Sequence, residues 1–172
     1  MKIKLLDCTL RDGAHINAGE FSNDAAVGIA NALVDASIEL IELGFLEPNG
    51  KASRESVYFD SLSEAEEYYR DIKREGSKFG LMLRTDRCPL EILDKSDIFD
   101  FFRIAFYPEH LDQVAEYVSV LRDLGYNVYL NPIAVTHYTS DEFRSILTRI
   151  SAMDIAGVSI VDTYGALSLA KL

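Results

Sequence analysis

The chain has 172 residues, 48% of them hydrophobic, and a formal net charge of −11. That length and apolar content suffice for one sizeable core, so residues 1–172 read as a single domain. The acidic balance argues against nucleic acid as a partner, and no apolar run is long enough for a membrane span or a signal peptide. Cys8 and Cys88 stand far apart and outside any C-x-x-C pair, which fits free thiols in a reduced, cytoplasmic setting.

Strands alternate with amphipathic helices, the pattern of a parallel α/β sheet. Ile3–Asp7 reads as the first strand. Ser22 or Asn23 caps a helix through about Ala36, with Val27, Leu33 and Val34 among its apolar positions. Ile38–Phe45 is the second strand, and the polar stretch Glu47–Phe59 reads as a long loop. Ser63–Glu75 is a charged helix stopped by Gly76. Phe79–Leu83 is a third strand, followed by Arg84, Thr85, Asp86 and Arg87. Phe101–Phe106 is the fourth, with Arg103 set among apolar neighbours. Pro108 opens a helix that runs to Leu124, before Gly125. Val128–Val135 is the fifth strand and carries Asn131. Thr139 or Ser140 caps the next helix, where Asp141 and Glu142 suit the positive end of its dipole. Gly157–Asp162 is the sixth strand, closed by Thr163, Tyr164 and Gly165.

Residues with chemistry gather where these strands end. In Leu5–Gly13 an apolar run gives way to Arg11, Asp12 and Gly13. Side chains at the C-terminal ends of parallel strands face the mouth of the sheet, where ligands bind. There Arg11 can stabilise a developing oxyanion, Asp12 can hold a hard divalent metal, and Gly13 can turn the backbone sharply. His15 adds an imidazole at the same rim. A bare Arg-Asp pair would read as an ordinary surface ion pair. Glu42 either reaches metal or substrate or pairs with Arg11 or Arg84 in a structural network. Arg103, in a barrel wall, needs an anionic partner, whether a carboxylate side chain or a substrate acid group. Arg84, Asn131, Asp162 and Thr163 stand where substrate contacts are made, although Asp162 and Thr163 could merely end a strand. Cys8 reads as a small core residue, His110 as a surface residue, and His137 as a rim residue ranking behind His15.

The whole string Asp7-Cys8-Thr9-Leu10-Arg11-Asp12-Gly13 resembles the opening strand of the DRE-TIM metallolyases. That group includes hydroxymethylglutaryl-CoA lyase, isopropylmalate synthase, homocitrate synthase and the 4-hydroxy-2-oxovalerate aldolases. Ile38–Phe45, Phe102–Phe106, Asn131–Ala134 and Val161–Gly165 extend the likeness over most of the chain. The resemblance implies a TIM (β/α)8-type barrel that makes or breaks a carbon–carbon bond next to a carbonyl, through an enolate held by a divalent metal. It implies Arg11 as the enolate-stabilising arginine, Asp12 as a metal ligand and His15 as a base. The substrate would be a small carbonyl compound such as a 2-oxo acid. Mg²⁺ or Mn²⁺ suits an oxygen-rich site, and Zn²⁺ one with added histidines.

Six βα units fall short of eight. His15, His110 and His137 do not form the His-x-His pair that relatives place on the seventh strand. We therefore expect six parallel strands following one another round a curved sheet, with Arg11, Glu42, Arg84 and Asp162 near one rim. The remaining wall is expected from a longer protein or from a second copy in a homo-oligomer, because an open edge exposes unpaired backbone and apolar surface. The alternatives are a natural short form, a catalytically silent fragment with an assembly or scaffolding role, and a metal-independent sugar- or phosphate-binding domain. No glycine-rich phosphate loop supports the last of these.

Overall fold

The computed structural model describes residues 3–50 and 55–167. Its strands are β1 (Leu6–Asp7), β2 (Leu40–Leu46), β3 (Tyr58–Phe59), β4 (Lys78–Arg84), β5 (Phe101–Phe106), β6 (Asn127–Pro132) and β7 (Gly157–Val158). Its α-helices are α1 (Thr9–Gly13), α2 (Asn23–Asp35), α3 (Leu62–Tyr68), α4 (Leu111–Asp123) and α5 (Ser140–Ile150). All ladders between these strands are parallel, and the main path runs β1-β2-β4-β5-β6-β7 in chain order. Parallel neighbours joined by crossovers curl one way, and the product is an α/β half-barrel. The six predicted strands are those of the main path. Among the described residues no helix is long and apolar enough to cross a membrane.

Alternation along each strand separates two faces. The outer row, including Ile41, Leu81, Leu83, Phe102, Ile104, Phe106, Val128 and Leu130, is buried beneath the helices. α2 offers that row Ala26, Ala30 and Val34, one line of small side chains that brings the helix close. α4 offers Leu111, Val114, Tyr117, Val118 and Leu121. Local signals set the helix ends. Ser22 accepts from the Ala25 N–H, Thr139 and Glu142 form a capping box on α5, and Gly125 leaves α4 at φ +95°. The inner face carries Glu42, Arg84, Arg103 and Asn131, with Phe101 filling the space that Gly80 leaves open.

Several boundaries differ from the sequence reading, each for a local reason. The first strand ends at Asp7 because its carboxylate accepts from the Thr9 N–H at 2.9 Å and the Thr9 hydroxyl at 3.0 Å. That turn starts a five-residue helix, so Arg11 and Asp12 sit on α1 rather than on a strand end. The third helix stops at Tyr68, since Tyr69 is fully buried with its hydroxyl donating to the Leu43 carbonyl at 2.7 Å. The stretch 47–59 is more than a loop. Tyr58 and Phe59 pair with Phe45 and Leu46, while residues 51–54 lie outside the described residues. The fifth strand stops at Pro132, ahead of Ala134 at φ +60° and a 3₁₀ turn, Val135–His137. The sixth pairs only over Gly157 and Val158, flanked by bonds from the Ala156 N–H to the Val128 carbonyl and from the Ser159 N–H to the Leu130 carbonyl.

One irregularity shapes the mouth. Between Glu42 and Phe45 the β2–β4 register shifts, three residues on β2 answering two on β4. Alternation alone would bring Gly44 inward; the bulge brings Phe45 instead. Gly44, at φ +154°, allows it, because a Cβ there would lie 2.2 Å from the Val57 carbonyl oxygen.

Candidate active site

A cavity of about 450 Å³ opens at the C-terminal end of the sheet. Arg11, Asp12, His15, Arg84, Arg103, Asn131, Asp162 and Thr163 all line it, and Glu42 lies directly behind Arg11. The structure therefore brings together every residue singled out for the site, from β1–α1 round to the segment after β7.

The floor is an ion network. Glu42 is fully buried, and its Oε2 accepts from Arg11 Nε at 2.6 Å and from Arg103 Nη1 at 2.9 Å. Arg103 also donates from Nη2 to Asn131 Oδ1 at 2.7 Å and to the Ser159 hydroxyl at 3.3 Å. Thus Arg103 has the anionic partner that its burial demands, but shares it. Glu42 Oε1 and Arg103 Nε, both buried, have no partner among the described residues. Burial works against the charge on Arg11, and the Glu42 carboxylate more than offsets it, so the guanidinium pKa is raised. Arg11 is thereby a permanent, oriented cation.

Above this floor the groups differ in freedom. Asp12 is exposed and pairs with Arg11. His15 is exposed and meets Phe45 edge-on, with ring centroids 5.6 Å apart; Arg11 lies over the same ring at 5.9 Å. Phe45 in turn stacks on Tyr58 at 4.6 Å. Phe45 is the residue that sequence reasoning missed, and Gly44 beside it was the available signal. Arg84 is clamped by Asp86, and Thr163 Oγ1 accepts from the Ala134 N–H at 2.9 Å. Asp162 accepts from the Ala166 and Leu167 N–H groups at 2.7 and 2.9 Å, which hold its carboxyl below the usual range. Its carboxylate closes its own turn.

Cys8 is the N-cap of α1 rather than a mid-strand core residue, and it accepts weakly from Arg103 Nη1 at 3.4 Å. Burial pushes its thiol up to about 11, which keeps it protonated at neutral pH and out of nucleophilic chemistry. His110 and His137 do not line the cavity; His137 stacks on Tyr164 at 4.6 Å. Among the described residues no three His, Cys, Asp or Glu side chains come together to hold a metal ion. Asp12 offers a single carboxylate, so these residues do not by themselves complete a divalent site.

An α/β half-barrel whose inner mouth is lined by arginines and a paired carboxylate defines the class. No family model matches the chain. It is similar to the homocitrate synthase of Sulfolobus acidocaldarius, 29% identical over 180 positions that cover 97% of this chain and 37% of that protein. Its fold matches the crystal structure of the N-terminal domain of a putative aldolase from Bacteroides vulgatus. The TM-score is 0.60 at 19% identity, over 92% of this chain and 62% of that one. The chain thus spans less than two thirds of each. With the Asp7–Gly13 string, these likenesses make it similar to the N-terminal part of the DRE-TIM metallolyases.

Proposed function

We propose that the protein is a carbon–carbon lyase of the aldolase type, acting on a 4-hydroxy-2-oxo acid or related carbonyl substrate through an enolate. The observation that carries this reading is Arg11, oriented by buried Glu42 on the wall of a cavity it shares with Arg103, Asn131 and His15. Below the rim two guanidinium groups share one carboxylate, and Asp12 meets Arg11 from the solvent side. In a chain of net charge −11, these inward guanidinium groups are the donors at the mouth that suit an anionic ligand such as the carboxylate of a 2-oxo acid.

In the direction of cleavage, the 2-oxo oxygen lies against Arg11 and the substrate carboxylate against Arg103. His15 takes the 4-hydroxyl proton and C4 leaves as an aldehyde, while the C3–C4 electron pair becomes the C2–C3 double bond and the carbonyl π pair moves to the C2 oxygen. Arg11 donates to that oxygen as its charge develops. C3 then takes the proton that His15 holds, the C2 carbonyl re-forms, and a shorter 2-oxo acid is released. The finer part of the proposal is a divalent ion, Mg²⁺ or Mn²⁺, for which Asp12 supplies one ligand and groups outside the described residues supply the others.

Full-length protein, assayed for 2-oxo acid release over a panel of 4-hydroxy-2-oxo acids, tests the reading. His15→Ala is expected to slow release near neutral pH, with the deficit narrowing as hydroxide replaces the missing base at higher pH. Absence of release from every member overturns the proposal and leaves a catalytically silent barrel segment.

The partner in this reading is a second copy of the chain. β1 and β7 end the main path, and Ile3, Leu5, Val158 and Ile160 at these two ends are exposed. Apolar side chains beside unpaired strand edges favour association. Light scattering at micromolar concentration is expected to report a dimer or larger; a clean monomer that binds no hydrophobic dye overturns this.

A further inference from the structure

We propose that Phe45 is a positioning residue for His15, holding the imidazole at the cavity mouth with a ring that Tyr58 backs. This rests on the reading of His15 as the base and adds the group that aims it.

A base must come within hydrogen-bond reach of the proton it takes, so geometry ranks before pKa. An imidazole is usually aimed by a hydrogen bond at its second nitrogen. His15 is exposed, and among the described residues its imidazole makes no hydrogen bond. What it meets is a ring: Phe45, with centroids 5.6 Å apart and planes at 66°. That separation and angle are those of the favoured edge-to-face pairing of aromatic rings.

Phe45 is fixed where His15 is not. It is 5% exposed, and the bulge at Gly44 turns it into the cavity. The Tyr58 ring lies parallel to it, 4.6 Å away with planes 5° apart. Tyr58 is wedged in turn: a Cβ at Gly19 would lie 2.5 Å from its Cδ2, and one at Gly50 3.2 Å from its Cδ1. Gly19 belongs to the turn that carries His15. Its N–H donates to the Ala14 carbonyl at 2.8 Å, and its carbonyl accepts from the Val57 N–H at 3.0 Å. The stacked rings therefore meet the base twice, Phe45 at the imidazole and Tyr58 at the backbone of its turn. Arg11 lies over the Phe45 ring at 5.9 Å. One buried side chain thus sets the base beside the guanidinium that receives the developing charge.

Two measurements on the full-length protein test this. The first, ¹³C relaxation of the His15 ring, needs no substrate. Its order parameter is expected at about 0.85, as in rigid backbone, and below about 0.6 in Phe45→Leu. The second is turnover of 4-hydroxy-2-oxo acids. Phe45→Leu is expected to lower kcat about tenfold while KM stays within about twofold. Added to His15→Ala, the same substitution is expected to cost about twofold or less, since the group it aims is gone. An equal loss in both backgrounds overturns the proposal, because the ring then acts through Arg11 or through the fold alone. A wild-type order parameter below about 0.6 overturns it even if Phe45→Leu does not fold. That result alongside 2-oxo acid release leaves the aldolase reading standing, whereas no release from any acid overturns both.

Discussion

Arg11→Ala, made in the full-length protein, is expected to lower carbon–carbon lyase turnover by about two to three orders of magnitude, the usual loss when one oxyanion-stabilising group is removed. The fold should persist, because Arg103 still neutralises Glu42. Asp12→Asn is expected to lower turnover to a similar degree for a different reason. It removes the exposed carboxylate proposed as a metal ligand, so it should also weaken Mg²⁺ or Mn²⁺ binding measured by calorimetry. Arg11→Ala should leave metal binding in place. Wild-type turnover in Asp12→Asn would falsify the metal-aldolase assignment. Wild-type turnover in Arg11→Ala would do the same for the enolate mechanism.

Glu42→Ala is expected to cost stability more than any rim substitution, about 3–5 kcal/mol, because it strands buried Arg103 without an anion and leaves Arg11 only the exposed Asp12. Arg11 and Arg103 are 11% and 7% exposed in their side chains, too little for water to replace the lost carboxylate. Urea denaturation, read as a fall in midpoint at constant slope, measures the effect. Combining Glu42→Leu with Arg103→Met should recover part of the loss, since one stranded charge is then gone and the volume is refilled. A loss below about 1 kcal/mol in Glu42→Ala would show that the network does not anchor the floor.

Much of this arrangement was legible in the sequence because it depends on local order. Strand and helix periodicity give the six-strand path, and a charged residue at a strand end falls at the mouth whatever surrounds it. Arg103 announced itself as a cation within Phe-Phe-Arg-Ile-Ala-Phe, and its need for an anion was plain. Which anion was not: Glu42 lies 61 residues away, and spacing carries no information on that pairing. Nor could alternation find Phe45, since the bulge at Gly44 reverses which residue faces inward. The helical turn at Arg11 was hidden for a similar reason. The side chain of Asp7 competes with the strand ladder, and an apolar run gives no hint of that contest. Tyr69 ended α3 early because burial of one hydroxyl on the Leu43 carbonyl outweighed helix propensity.

The shared carboxylate also puts the pocket on a clock. Glu42 leaves the ribosome 31 residues after Arg11 and 61 residues before Arg103. At about 5–20 residues per second, the nascent chain holds that carboxylate for roughly 3–12 s before its second cation exists. During that interval β4 has no β5 beside it and Glu42 has only Arg11 of its two cations. The second cation on the shared carboxylate therefore arrives only with β5. A translational pause or a truncation between Glu42 and Arg103 is expected to leave an open sheet edge without β5, the species most exposed to misassembly.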